Sequence, residues 1–194
     1  PPVPDQKVSQ RTARVAVEVH HDGGDRERMT RVFGAGWTYL PQQYGADLGQ
    51  RLQAAFHRCF EDGAEKVVVV GTDCPGLSVQ LIQRAFDGLD RAPVVLGPAR
   101  DGGYYLIGIR KSLPANTYGR LFDGIDWGSN NVMEQTLQIA KDLGLDLSLL
   151  ESLADVDRPA DLPVWQQEQK AAGQQPRAQK LSIIIPALNE APTI

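Results

Sequence analysis

Cysteine is scarce in this chain. Cys59 and Cys74 are the only two in 194 residues, and their spacing matches no metal-ligand pattern. Two isolated thiols suit a reduced, cytoplasmic setting. Cys59 falls on the apolar face of a predicted helix and is expected in the core. Cys74 has no basic neighbour to stabilise a thiolate, which argues against a nucleophile. Long apolar runs are lacking too. None approaches the roughly 18 residues that cross a bilayer, and no signal peptide stands at the start. The sequence opens Pro1-Pro2-Val3-Pro4, without an initiator Met. Nor is positive charge in excess. Lys and Arg number 20 against 24 Asp and Glu, a net charge of −4 with no basic stripe, which excludes general nucleic-acid binding.

What is present is ordinary for a water-exposed domain: 42% apolar and 23% charged residues, in a length that suits one α/β domain plus a tail. Strands are predicted at Arg14–Val19, Trp37–Leu40, Lys66–Gly71, Pro93–Gly97, Tyr104–Ile109 and Leu145–Leu150. Helices are predicted over Gly24–Phe33, from Asp47 to Asp62-Gly63, from Ser78 to Leu89, over Asn131–Leu143 and over Pro159–Lys170. Asp47 and Ser78 are the types that cap helix N-termini. Alternating strands and helices call for an α/β domain with a mostly parallel sheet. No internal repeat interrupts the pattern.

Four stretches carry chemistry. Val67–Val70 is an uncharged run that reads as a fully buried parallel strand, and it delivers Thr72-Asp73 to the strand's carboxyl end, where open α/β sheets bind ligands. An unpaired carboxylate there calls for a metal, a cation or N–H donors, and Mg²⁺ accepts one or two carboxylates with phosphate oxygens. The same acid in a helix-capping turn is the alternative. Arg100-Asp101-Gly102-Gly103 allows close backbone approach to a ligand, with Arg100 suited to phosphate and Asp101 to sugar hydroxyls. It is equally a plain Asp-Gly turn. Asp155-Val156-Asp157 puts two acids on one face if extended, or begins a helix at Pro159. Tyr44-Gly45-Ala46-Asp47-Leu48-Gly49-Gln50-Arg51 runs into a helix N-terminus that can hold an anion or a base edge, or simply starts the helix. His20-His21-Asp22 lacks a third ligand and reads as an exposed turn. Trp127 reads as a core residue rather than the wall of an acceptor pocket.

Together, the segments Gly71–Leu77, Leu96–Gly108, Asp155–Leu162 and Asp47–Arg51 resemble the DUF2064 group of bacterial proteins. That group is glycosyltransferase-like and belongs to the nucleotide-diphospho-sugar transferase superfamily, with a GT-A fold. The resemblance spans roughly Arg14 to Leu162. It implies a Rossmann-like three-layer sandwich with a mostly parallel sheet, here with its N-terminal strand missing. It also implies a divalent metal, Mg²⁺ or Mn²⁺, on Asp73 and Asp157. Asp73 and Asp101 would be the catalytic acids. Asp47, Gly49, Thr72, Arg100, Gly102 and Gly103 would contact substrate. Two positions depart from the group's pattern: Arg158 replaces a Thr and Ala160 a Glu.

The tail has a resemblance of its own. Leu181–Glu190 is similar to the opening of family 2 glycosyltransferases, so a fused second transferase is expected. The expected division is a remnant or disordered start over 1–13, the GT-A-like domain over 14–170, a linker over 171–180 and the second domain's first strand over 181–194. Nothing before Arg14 reads as the superfamily's first strand or its phosphate-holding loop. The expected function is metal-assisted transfer from a nucleotide-diphosphate sugar to an acceptor the sequence does not specify, with this chain alone inactive. Nucleotidyl transfer on the same fold, or a non-catalytic nucleotide-sugar-binding or scaffolding role, are the alternatives. A sheet without its central strand exposes backbone groups, and Leu181–Ile185 is expected to pair there.

Overall fold

The computed structural model describes residues 15–42, 47–71, 74–154 and the backbone of 184–187. Its centre is a seven-stranded sheet. In chain order the elements are β1 (Glu18–His21), α1 (Arg26–Phe33), β2 (Thr38–Pro41), α2 (Leu48–Glu61), β3 (Lys66–Val70), α3 (Val79–Arg91), β4 (Val94–Pro98), β5 (Tyr104–Arg110), α4 (Ala115–Arg120), α5 (Val132–Asp142), β6 (Leu147–Leu149) and β7 (Ile184–Ala187). Across the sheet the order is β2-β1-β7-β3-β5-β4-β6. Four of the six ladders are parallel; β5 runs against both β3 and β4. This is the α/β, mostly parallel, GT-A-like Rossmann architecture expected from the sequence.

The helices cover both faces, because β3 is apolar on both. Val67 and Val69 point into one cluster with Leu52, Phe56 and Phe60 of α2, Tyr118 of α4 and Ala140 of α5. Val68 and Val70 point into a second with Leu81, Ala85 and Leu89 of α3 and Cys74. All four valines are at most 5% exposed. At roughly 1.5–3 kcal/mol per fully buried aliphatic side chain, this strand is a main source of stability. Aromatic packing of Phe56 against Phe60 and Phe122 fills the first cluster, with centroids 6.1 and 6.0 Å apart.

Local signals positioned the main helices well. Asp47 caps α2 by accepting from the Gln50 amide at 2.7 Å, and Ser78 caps α3 by accepting from Leu81 at 3.2 Å. Two expectations need correction. β1 begins at Glu18, since residues 15–17 are described without strand structure, and it continues through His21. Residues 115–120 form a helix that periodicity did not announce; Pro114 precedes it, with no side-chain cap. The expected helix over Pro159–Lys170 and the linker over 171–180 lie outside the described residues. The tail does enter the sheet: β7 lies parallel between β1 and β3.

Candidate functional site

The carboxyl ends of the parallel strands define one edge of the sheet, where side chains and turn backbone can meet a ligand. On its first side stand β1, β2 and the N-terminus of α2. Arg51 of α2 donates to Asp22 Oδ2 at 2.9 Å and to Gln42 Oε1 at 3.1 Å. The Gln42 side-chain amide donates to the His20 carbonyl at 3.2 Å, and its backbone N–H donates to the His21 carbonyl at 2.8 Å. One network therefore ties the ends of two strands to the first turns of α2. Partly buried charged hydrogen bonds of this kind contribute more than exposed ones.

His20 and His21 correct the expectation of an exposed turn: they are 7% and 5% exposed. β1 continues through both residues with a neighbour strand on each side, so the imidazoles are enclosed. His20 Nε2 lies 3.1 Å from Glu18 Oε2. That bond holds the Glu18 carboxyl below its ordinary value of 4.5, against the opposing effect of burial. An ionised carboxylate only accepts, so Nε2 carries the proton. The Cys59 thiol points at the same oxygen from 3.7 Å, and burial first, then the Glu18 charge, pushes that thiol up to about 12. Cys59 is thus a protonated core residue. Cys74 is buried in the α3-side cluster.

A cavity of about 200 Å³ lies between this unit and α2, lined by His20, Gln42, Arg51, Leu52, Arg58 and Val69 among others. Ligand pockets usually enclose about 300–1,000 Å³. This one is a gap between sheet and helix, too small for a nucleotide.

On the second side stand β3, β4 and the β4–β5 bend. Gly71 ends β3 and donates its N–H to the Tyr105 carbonyl at 2.9 Å, so the chain leaves for Thr72-Asp73 from beside the start of β5. In the bend, Asp101 Oδ1 accepts from the Gly103 amide at 2.8 Å. Gly102 has φ +96°, and a Cβ there would stand 1.9 Å from the Asn130 carbonyl oxygen. Its own carbonyl accepts from Met133 at 2.8 Å. The bend is therefore clamped against the start of α5, with Arg100 and Asp101 exposed above it. The Arg100 amide donates to the Leu153 carbonyl at 2.9 Å, and Leu153 donates to Pro98 at 3.0 Å. The segment that continues to Asp155-Val156-Asp157 thus departs from the same bend.

Between the two sides, Gly49 lies buried in the first turn of α2. A Cβ there would come within 2.8 Å of Trp127 Nε1 and 2.9 Å of the Phe122 carbonyl. Its smallness lets Trp127 close over the helix, and Trp127 also meets the Tyr104 ring edge-on at 6.3 Å. Of the predicted residues, Asp47 and Gly49 stand on α2, while Arg100, Asp101, Gly102 and Gly103 share one bend. Thr72, Asp73, Asp157 and the loop 43–46 lie outside the described residues. Asp22, Gln42 and the Glu18–His20 pair were not foreseen. Their signal is weak, being polar residues at strand ends whose neighbours the sequence does not reveal. Among the described residues no group of three or more His, Cys, Asp or Glu side chains stands together as a metal site.

A mostly parallel sheet covered on both faces, with its polar edge at the strands' carboxyl ends, has the nucleotide-diphospho-sugar transferase-like fold. Within that class the chain belongs to the family described as "Uncharacterized protein conserved in bacteria (DUF2064)", matched over residues 7–129. It is similar to a crystal structure from Desulfovibrio desulfuricans G20, of a protein described as a candidate nucleotide-diphospho-sugar transferase. Identity is 34% and the TM-score 0.72, over 80% of this chain and 67% of that one. It is also 35% identical over 97 residues to 2-phospho-L-lactate guanylyltransferase of Methanopyrus kandleri, a match covering 48% of this chain. The matched part spans 46%, less than half, of that relative. No helix among the described residues is long and apolar enough to cross a membrane.

Proposed function

We propose that this domain binds a nucleotide-diphosphate sugar at the carboxyl edge of the sheet and transfers the sugar to an acceptor, with a divalent cation's help. The observation that carries the reading is the convergence on one edge of the strand end leading to Thr72-Asp73, the Arg100–Gly103 bend, and the chain departing toward Asp157. A divalent cation held by Asp73 and Asp157 would supply charge neutralisation on the diphosphate. The chain's own groups orient the donor: the first turn of α2 offers N–H groups to the nucleoside side, and Arg100 faces phosphate. In the transfer, the anomeric carbon–oxygen bond to the diphosphate breaks. The acceptor hydroxyl oxygen bonds to that carbon, the nucleoside diphosphate leaves with the electron pair, and the hydroxyl proton passes to the departing diphosphate oxygen or to solvent.

The guanylyltransferase relative favours a second reading on the same site. There a phosphate oxygen of the acceptor attacks the α-phosphorus of a nucleoside triphosphate, and pyrophosphate leaves. Product analysis separates the two, since one releases nucleoside diphosphate and the other pyrophosphate. Binding without either product would instead mark a scaffolding domain. Binding of UDP-, GDP- and CDP-sugars and of GTP, with Mg²⁺ and with chelator, tests the shared premise. Asp73→Ala is expected to weaken binding by about 10–100-fold, as loss of a charge-assisted contact of about 1.5–3 kcal/mol implies. A chain whose affinity for each of these nucleotides is unchanged by Asp73→Ala would refute the reading.

A further inference from the structure

The strand order joins segments far apart in sequence: β1 and β3 do not pair with each other, and β7 stands between them. β7 pairs with β1 along its whole length, Glu18↔Ile184, Val19↔Ile185, His20↔Pro186 and His21↔Ala187. Toward β3 the ladder is one pair long, Val69↔Ile184. Pro186 has no N–H to give to a ladder and stands toward the carboxyl end of β7, past the residue that pairs with β3. This strand lies outside the family match, which ends at residue 129.

No residue of α1 is buried, and two strands alone are marginal in water. Among the described residues, polar contacts tie the β1–α1–β2 unit to α2: the Arg51–Asp22–Gln42 network and the Cys59–Glu18 contact. Those are a few polar contacts, whereas β7 supplies a continuous ladder. We propose that the interval between β1 and β3 is a strand socket, that Ile184–Ala187 of the same chain is its occupant, and that this docking fixes the Asp22–Gln42 side of the edge relative to the Arg100–Gly103 side. Withdrawal of the strand would leave β1 and β3 with unpaired backbone groups and release β1–α1–β2 as a unit. The proposal holds whatever ligand the edge takes.

The test joins a covalent and a dynamic readout in the full chain. Neighbouring strands run about 4.8 Å apart, within the Cα separation of about 4.4–6.8 Å that a disulfide spans. The double variant Val19→Cys, Ile185→Cys is therefore expected to form an intramolecular disulfide between the two introduced thiols under mild oxidation, identified by peptide mapping. A disulfide-linked dimer would assign the occupant to a second copy and overturn the proposal, and a folded monomer without this bond would do the same. Ile185→Pro is expected to speed hydrogen exchange at the His20 amide, which faces β7, by about tenfold or more, while Leu106 and Ile107 stay protected. Equal protection of the His20 amide in wild type and variant would also overturn it. Failure of every nucleotide to bind would leave these readouts unmoved, so the two proposals fail separately.

Discussion

Glu18 illustrates how much one side chain can couple. It accepts from His20 on its own strand and lies within reach of the Cys59 thiol of α2. Because the folded-state pKa is depressed, its stabilising effect is present above about 4.5, the ordinary carboxyl value, and is lost as pH falls through the lower folded value. Glu18→Gln is expected to cost about 1 kcal/mol at neutral pH. The difference from wild type should shrink in acid, as read from urea unfolding at several pH values. A pH-independent difference would contradict the assignment. Gly102 makes a steric argument. With φ +96° and a Cβ position 1.9 Å from the Asn130 oxygen, Gly102→Ala must displace the bend or the start of α5. A loss of about 3 kcal/mol or more is expected from strain and clash together. An unchanged urea midpoint would show that the bend yields freely.

Helices α2 and α3 were legible because their signals are local. Asp47 and Ser78 are capping types placed just before amphipathic runs, and both accept from the backbone as expected. Asp47→Ala should lower stability by about 1 kcal/mol, and Asp47→Ser should restore most of it. Thermal melting checks both. If the serine variant melts like wild type yet loses nucleotide affinity, Asp47 touches ligand as well as capping α2. The short helix α4 was not legible, since six residues carry too little period to announce a helix. β3 was read as a fully buried parallel strand; the burial holds, but the direction needs correction, since its long ladder, with β5, is antiparallel. Its direction relative to its neighbours is mixed, parallel to β7 and antiparallel to β5, which no feature of a valine run encodes.

At the scale of the whole molecule, the candidate site is an edge assembled from two sides. Asp73→Ala belongs to this scale, because it should weaken nucleotide binding without changing the melting temperature if the acid serves the ligand rather than the fold. Three segments that reach the candidate site carry their own sequence pattern: the Asp47–Arg51 turn, the strand end at Gly71 and the Gly102-Gly103 bend. The Asp22–Gln42–Arg51 network was not legible in the chain, because its members come from three elements that become neighbours only when β1, β2 and α2 pack. The burial of His20 and His21 was misread for the same reason.

Caps, the apolar valine strand, the glycine bend and the family motifs were written in the sequence, because each depends on residues within a few positions of one another. Which strands lie side by side was decided by the tertiary structure; the tail was expected to fill the sheet's vacancy through Leu181–Ile185, and the structure puts Ile184–Ala187 there, between β1 and β3. Backbone groups in the middle of a sheet must find partners wherever the chain can bring them, and no local preference specifies which distant segment that will be.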